Sequence, residues 1–470
     1  MLIRKKSSPK SQPQINNIEI TPDTLSSRSG ILLYNRYLEK LGFYKFIQDV
    51  FGSLPQGANG MQPLEFYKQL MAYFFDGSCM HISYFEILKN MPALASFLNI
   101  PEDKLASSHQ IKRFFKKYVN KLYIQHKFRF ILRQLFIWRL KQDKPSIIEI
   151  GIDTMVLDNN DALKREGCKP TYKKKLGFQP LQITWNHIII DAIFRDGDKH
   201  SNHGKDVVKS LRKIVNLIRA EYKIDVPIIV KMDSGFFADA NFSYMEDKLD
   251  VLYICSGKRY ANIVNHINKL EQSKLHEYQA GKNIWNYAEF GCRLDSWKKF
   301  RRFIYTQYEN ADDIQLYVNF GKPDQIICTN IGVNPKLTKQ LISAGGISYL
   351  TAEGIIEAGH KRGAEELVHR SYKELLVKEQ LPFKKFGMNQ AYYYFSVISH
   401  TLFESYKRDV SFDIISVVSY PSTFRRKLVD FAGKVVSHAN TVTLKVTKYI
   451  YDSLNIKELW ERCHNPVMIL

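Results

Sequence analysis

Few stretches restrict a fold as tightly as Val226–Phe237, VPIIVKMDSGFF. Ile228, Ile229 and Val230 form a short apolar run rich in β-branched residues, which predicts a buried strand. The run ends in Asp233, and Ser234-Gly235 follow at once as a turn signal. A carboxylate at the carboxyl end of a buried strand lies at the rim of a sheet, where α/β folds put ligands and metals. The same carboxylate is equally suited to cap the turn or the next helix, so this stretch alone leaves both roles open.

A second strand of the same kind strengthens the first role. Ile147–Asp153 (IIEIGID) alternates, with Ile148, Ile150 and Ile152 facing one way and Ile147, Glu149, Gly151 and Asp153 the other. Asp153 again ends a strand. Leu181–Trp185 and Ile188–Phe194 are strand-like runs, and the break at Asn186-His187 fits a hairpin. A polar loop follows at Arg195–Asn202. Val207–Tyr222 then has helix spacing, with Val208, Leu211, Val215 and Ile218 inward, and Val251–Cys255 is a further apolar strand. The order β-β-β-α-β-α-β is that of a ribonuclease-H-like core.

The flanking regions divide the chain. Residues 1–28 are polar and basic and predict a disordered tail. Residues 29–145 have helical spacing throughout. Within them Ser107 or Ser108 is suited to cap a helix whose first turns carry Gln110, Lys112, Arg113, Lys116 and Lys117. Between 101 and 145 there are 12 Lys/Arg against 3 acids, which makes 29–145 the expected helical DNA-binding region; a solvated helix face is the plainer alternative. The first part of the core is 146–260. Residues 261–350, dense in aromatic and β-branched residues from Tyr278 to Ile327, predict an antiparallel β insertion. Its Arg293, Lys298, Lys299, Arg301 and Arg302 interleave with aromatics, as on a surface that tracks a nucleic-acid backbone, or as in ordinary sheet packing. Residues 351–408 return to helix, and 409–470 form a basic, mixed carboxyl-terminal region.

The helix over 353–376 has a cationic stripe. At 100° per residue Arg362, Glu366, His369 and Lys373 share one face, and Ala364, Leu367, Val368, Tyr372 and Leu375 the other. By itself Arg362–Glu366 also fits a plain i,i+4 surface pair. Charge and composition narrow the partners. With 68 Lys+Arg against 47 Asp+Glu, net +21, a polyanion is expected, nucleic acid first and an anionic membrane surface second. The six cysteines are scattered without a CxxC pair, as in a reduced cytosolic protein with no zinc or disulfide framework. Neither a signal peptide nor an 18-residue apolar run is visible.

Together these motifs resemble the DDE transposases of bacterial insertion sequences, in the branch with the signature Y-(2)-R-(3)-E-(6)-K. Arg362, Glu366 and Lys373 fit the R-(3)-E-(6)-K part without a gap. Gly359, followed by His360, stands at the tyrosine position, so that role is absent or filled by another residue. Asp153-Thr154, the Gly197–Asn202 loop (GDKHSN), Asp233–Phe236, Asn389-Gln390-Ala391 and the Phe424–His438 block match in order. The resemblance implies an α/β fold with a ribonuclease-H-like catalytic domain. It also implies two Mg²⁺ or Mn²⁺ ions on Asp153, Asp233 and Glu366, with Arg362 and Lys373 on phosphates. His200, Lys112, Arg113, Lys116 and Arg301 join the expected DNA contacts. Trp297 or Trp285 is the candidate to stack near a flipped base. Cut-and-paste transposition by a homodimer bound to terminal inverted repeats and target DNA, in a bacterial cytoplasm close to the nucleoid, is the expected activity. A DNA-binding protein without the chemistry and a structure-selective nuclease of the same fold are the alternatives.

Overall fold

The computed structural model describes residues 15, 17–52, 60–119, 124–162, 164–271, 274–281, 283–310, 324–360, 363–376, 380–439 and 441–469, without the side chains of 308–310, 360 and 363–366. Strand β1 (Thr24–Ser26) is followed by α1 (Gly30–Lys40), α2 (Phe43–Phe51), α3 (Pro63–Asp76), α4 (Phe85–Leu88), α5 (Pro92–Leu98), α6 (Ser108–Lys116) and α7 (Ile124–Asp143). Local chemistry sets these boundaries. In α3, Pro63 occupies the first turn behind a Gln62–Glu65 capping box, and Gly77 ends the helix with a φ of 61°.

The central region alternates strand and helix: β2 (Ile148–Thr154), β3 (Leu157–Asp158), β4 (Lys169–Pro170), β5 (Leu176–Phe178), β6 (Leu181–Trp185), β7 (Ile188–Ile193), α8 (Asp206–Glu221), β8 (Ile228–Met232), α9 (Asp239–Tyr244), β9 (Leu252–Ser256) and α10 (Ala261–Asn268). After these come β10 (His276–Ala280), β11 (Asn283–Cys292), β12 (Arg301–Asn310) and β13 (Gln325–Thr329). Among the described residues nine strands form one mixed sheet, ordered β10-β11-β12-β13-β9-β8-β2-β6-β7. β2, β8 and β9 run parallel, and β6 and β7 continue antiparallel from β2. Asn186 and His187 both take positive φ (43° and 70°), the geometry of a two-residue hairpin turn. The β-rich segment after α10 is no separate layer, because β13 pairs antiparallel with β9 and prolongs the same sheet. The expected strand at Leu316–Phe320 lies outside the described residues.

The carboxyl-terminal part comprises α11 (Pro335–Ser343), α12 (Ala352–His360), α13 (Gly363–Leu375), α14 (Phe386–Asp409), α15 (Pro421–Leu428), β14 (Gly433–His438), β15 (Thr441–Lys445), α16 (Lys448–Ser453) and α17 (Ile456–His464). The period-2 pattern of the strands sorts the core. Ile148, Ile150, Ile152, Val230 and Met232 pack with α7, α8 and α9 on one face, and Ile229, Leu252 and Ile254 with α11 and α12 on the other. The largest cluster unites α1–α7 with α13, α14, α15 and α17, so both ends of the chain build one helical body. The expected tail is therefore shorter than 28 residues: β1 pairs with β14, and Arg28 is bonded to Asp76 and Asp430. Among the described residues no helix is long and apolar enough to cross a membrane.

Candidate active site

Sheet register brings the two strand-end carboxylates together. Ile152 lies opposite Met232 in the parallel β2–β8 pair, so Asp153, the penultimate residue of β2 and still paired with Gln182 of β6, stands level with Asp233 just past the end of β8. Neighbouring strands lie about 4.8 Å apart. Each aspartate is tied to its own backbone: Asp153 Oδ1 accepts from the Thr154 amide at 2.7 Å at the end of β2, and Asp233 Oδ1 from the Gly235 amide at 2.8 Å in the turn after β8. The capping role considered for Asp233 is thus real, and it orients the carboxylate rather than competing with a ligand role. Asp153 keeps 25% of its side chain exposed, and Asp233 is partly exposed too.

The GDKHSN loop closes on the end of β2 and on the turn after β8. Ser201 Oγ is 3.0 Å from Thr154 Oγ1. A Cβ at Gly235 would come within 2.7 Å of that same Ser201 Oγ and 2.9 Å of Asp233 Oδ1, so a larger residue there would have to displace these side chains. Asn202 accepts from Asn241, which also holds the Phe236 carbonyl. His200, exposed, stands beside this junction, its ring 5.6 Å from that of His203.

The expected helix over 353–376 is described as two helical stretches, α12 and α13, and Lys361 and Arg362 between them lie outside the described residues. α12 presses on the sheet at Gly359, where an added Cβ would meet Ile327 at 3.2 Å. α13 buries Val368, Tyr372 and Leu375 in the helical body. Leu367, expected inward, is 40% exposed, because the buried arc is centred on Val368 and Tyr372. Beside that arc α13 reaches one of the two acids: His369 Nδ1 is 3.5 Å from Asp153 Oδ2. Glu366 precedes His369 by one turn on the same face of the helix. Lys373 acts on Asp158, whose carboxyl is held below its usual range first by the Lys175 hydrogen bond and then by the Asn160 amide, with smaller contributions from the Lys175 and Lys373 charges.

Among the described residues no three His, Cys, Asp or Glu side chains form a metal-binding group; the Glu366 side chain is outside that set. Two carboxylates at one level, each partly open to solvent, are hard oxygen donors of the kind Mg²⁺ and Mn²⁺ take.

Other expected contacts fare differently. Lys112, Arg113 and Lys116 are exposed along the outer face of α6, while Ile111, Phe114 and Phe115 anchor it. The start of α6 is closed: Ser107 and Gln110 form a capping box, and Glu86 accepts from the Ser108 amide at 2.7 Å. Its basic side, and not its amino-terminal end, is what it offers. Trp297 and Arg301 need correction as surface contacts. Trp297 is 6% exposed and packs on Phe237, Phe242 and Phe303. Arg301 is 4% exposed, with its guanidinium 4.8 Å from the Trp297 ring and bonded to Glu246 and Asp239. Trp285 is buried as well. The aromatic-basic alternation there is core packing around a neutralised arginine. Sequence reasoning put His369 on the stripe without a role, and gave Ser201 and Thr154 none; the GDKHSN match was the available signal for Ser201.

A family model described as "Transposase DDE domain group 1" matches residues 8–465. Among solved structures the chain is similar to one described as "Cryo-EM structure of piggyBac transposase synaptic complex with hairpin DNA (SNHP)". That similarity has 12% identity and a TM-score of 0.43, over 93% of this chain and 82% of that one. No curated protein matches the chain.

Proposed function

Because the chain belongs to the group 1 family of DDE transposase domains, we propose that it cuts DNA at the ends of its own mobile element and joins those ends to target DNA. The observation that carries this reading is the meeting of Asp153 and Asp233 at one level of the sheet under the His369 face of α13. In this reading the β7-β6-β2-β8-β9 part of the sheet is a ribonuclease-H-like core. The element is a bacterial insertion sequence that moves by cutting and pasting.

Asp153, Asp233 and Glu366 are the residues to hold two Mg²⁺ or Mn²⁺ ions. Bound there, such ions supply a water or 3′-hydroxyl of lowered pKa and neutralise charge on the leaving oxygen. The chain's own residues do the rest. The Thr154 and Gly235 amides keep both carboxylates aimed at the rim. His369 orients Asp153 from the far side. Arg362 and Lys373 meet phosphate oxygens, Arg as a fork and Lys as a point charge. Lys112, Arg113 and Lys116 lie on an exposed face suited to DNA phosphates, with His200 at the rim of the site. Terminal inverted repeats and target DNA are the substrates, and a homodimer pairs the two ends.

The test mixes the protein with a DNA fragment carrying the element's ends and Mg²⁺ or Mn²⁺. Wild type is compared with Asp153→Ala, Asp233→Ala and Glu366→Ala. Cleavage lost in all three with binding retained supports the proposal. Binding without cleavage by the wild type overturns it in favour of a DNA-binding protein. Full cleavage by Glu366→Ala removes Glu366 from the site.

A further inference from the structure

The Phe424–His438 block has no role in the chemistry above, yet it contains a buried arginine with an unusual set of partners. Arg425 is 7% exposed. Its Nε donates to the Phe75 carbonyl at 3.0 Å, and its Nη2 to the Phe74 carbonyl at 2.8 Å and the Leu375 carbonyl at 3.1 Å. Phe74 and Phe75 lie in the last turn of α3, and Leu375 is the last residue of α13. The final carbonyls of a helix lack intrahelical partners and carry the negative end of its dipole. One guanidinium therefore caps two helices. The fit is close, since a Cβ at Gly77 would fall 1.9 Å from the Arg425 Cζ. Burial lowers the guanidinium's pKa to about 10, which leaves it charged at neutral pH.

The same short segment grips α13 twice more. Ser422 donates to Glu374 through its amide at 3.3 Å and also through its hydroxyl. The Arg370 guanidinium stacks over the Tyr420 ring at 4.5 Å. Tyr420, Ser422 and Arg425 thus hold the last two turns of α13, while α3 ties the guanidinium to the amino-terminal helices. Nine residues upstream of Leu375 on that helix is Glu366. An α-helix is stiff over this length, about 13 Å at 1.5 Å per residue, so a shift at its end is felt at the acid face.

We propose that Arg425 is a positioning residue: by capping α3 and α13 together it fixes where α13 sits along its axis, and so the placement of His369 against Asp153 and of the helical turn before it, which carries Glu366. The catalytic consequence rests on the transposase reading; the mechanical one does not. No bond is made or broken by Arg425, and it touches no substrate.

The test uses the full chain with Arg425→Gln, Arg425→Lys and Ser422→Ala. Three readouts are taken: the thermal melt, amide exchange of 366–376 against 391–405 in α14, and end cleavage as a function of Mn²⁺ concentration. Arg425→Gln is expected to exchange faster in 366–376 and in the last turn of α3 but not in 391–405, to cleave roughly tenfold to a hundredfold more slowly, and to need more Mn²⁺ for half-maximal rate. Arg425→Lys recovers part of each, because a point charge reaches one row of carbonyls and not two. Ser422→Ala shows the same pattern, smaller. Unchanged exchange in 366–376, acceleration spread evenly over the chain, or a wild-type Mn²⁺ requirement in Arg425→Gln overturns the proposal. If Arg425→Gln does not fold, Ser422→Ala decides by the same local exchange. If wild type cuts nothing with either cation, the transposase reading fails, and exchange still decides the clamp.

Discussion

The sheet and the helical body each bring part of the site, and they hold it by different means. Asp153 and Asp233 are set by the hydrogen-bond ladder of β2 and β8. A slip of one residue in that ladder would turn every side chain of the strand to the other face, so the ladder admits one answer. The helical body places α13 by side-chain packing: Val368, Tyr372 and Leu375 enter an aromatic core that includes the stacked pair Phe128–Tyr394. Helices packed ridge into groove tolerate graded shifts. α13 is accordingly pinned by polar contacts inside that core. Ser371 donates to Glu404 at 2.9 Å, Tyr372 meets Ser396 at 2.7 Å, and Arg425 caps the end. One half of the site is fixed in discrete steps and the other is adjustable, so the polar pins of α13 matter more than their number suggests.

The largest effect is expected where the two halves are joined. Asp191 of β7 is fully buried and holds Arg129 of α7 through two hydrogen bonds of 2.7 and 2.6 Å, and Arg129 also meets Ser210 of α8. Arg133 stands 3.8 Å from the same carboxylate. Asp191→Ala leaves buried guanidinium charge uncompensated and should cost about 3–5 kcal/mol in denaturant unfolding. A loss below about 1 kcal/mol on that measurement would mean that the two bodies are not coupled at this joint.

Next come the acids themselves. Asp153→Ala or Asp233→Ala should slow end cleavage roughly a thousandfold, equivalent to about 4 kcal/mol of barrier, while the melting temperature stays near wild type. A melting temperature that falls together with the rate would show the ladder to be less rigid than its register indicates. Gly359→Tyr restores the side chain of the related signature at a position where α12 lies against Ile327 and Ile254. Overpacking should cost about 1–3 kcal/mol and lower cleavage by moving α12; thermal melts and rate measured on the same samples separate the two.

A pH series sharpens the comparison from the helical side. His400, fully buried beside Ser371, has its pKa lowered by burial from 6.5 to about 3, with smaller contributions from nearby cations. The unfolded chain therefore binds a proton at this residue between those values that the folded chain refuses. The contribution to stability is complete above pH 6.5 and is lost as pH falls toward 3. Glu404, whose pKa burial raises from 4.5, acts in the opposite sense as pH rises above that value. His400→Asn should flatten the acid-side slope of melting temperature against pH; an unchanged slope would remove His400 from the account. The smallest effect on the fold belongs to the outer face of α6. Replacing Lys112, Arg113 and Lys116 together by Gln should leave stability within about 0.5 kcal/mol. The salt dependence of DNA binding should fall by about 0.9 in log–log slope for each phosphate that the variant no longer neutralises. An unchanged slope would mean that DNA uses another face.

Much of the sheet was legible because its signals are local. The alternation in Ile147–Asp153, the β-branched run before Asp233 and the Asn186-His187 break each lie within a few residues, and each specifies an element with its facing. Arg301 and Trp297 misled for the complementary reason. Composition records that basic and aromatic residues alternate there, but Glu246 and Asp239, which neutralise Arg301, come from an earlier segment. The same holds for the ends of the chain. No local pattern tells that Arg28 bonds Asp76 and Asp430, or that Arg425 caps a helix 350 positions earlier.

The sequence by itself determined the two strands whose carboxyl ends carry Asp153 and Asp233 and the helical segment that carries His369 and Lys373. Periodicity and turn chemistry act over one or two turns of chain, and that is the range in which a sequence states its structure directly. Only the tertiary structure decided that the two aspartates stand at one level, that His369 meets Asp153, and that the aromatic insertion is sheet core. Those outcomes depend on pairing between segments far apart in the chain. There the free energy comes from burial and hydrogen bonds that no single segment makes alone.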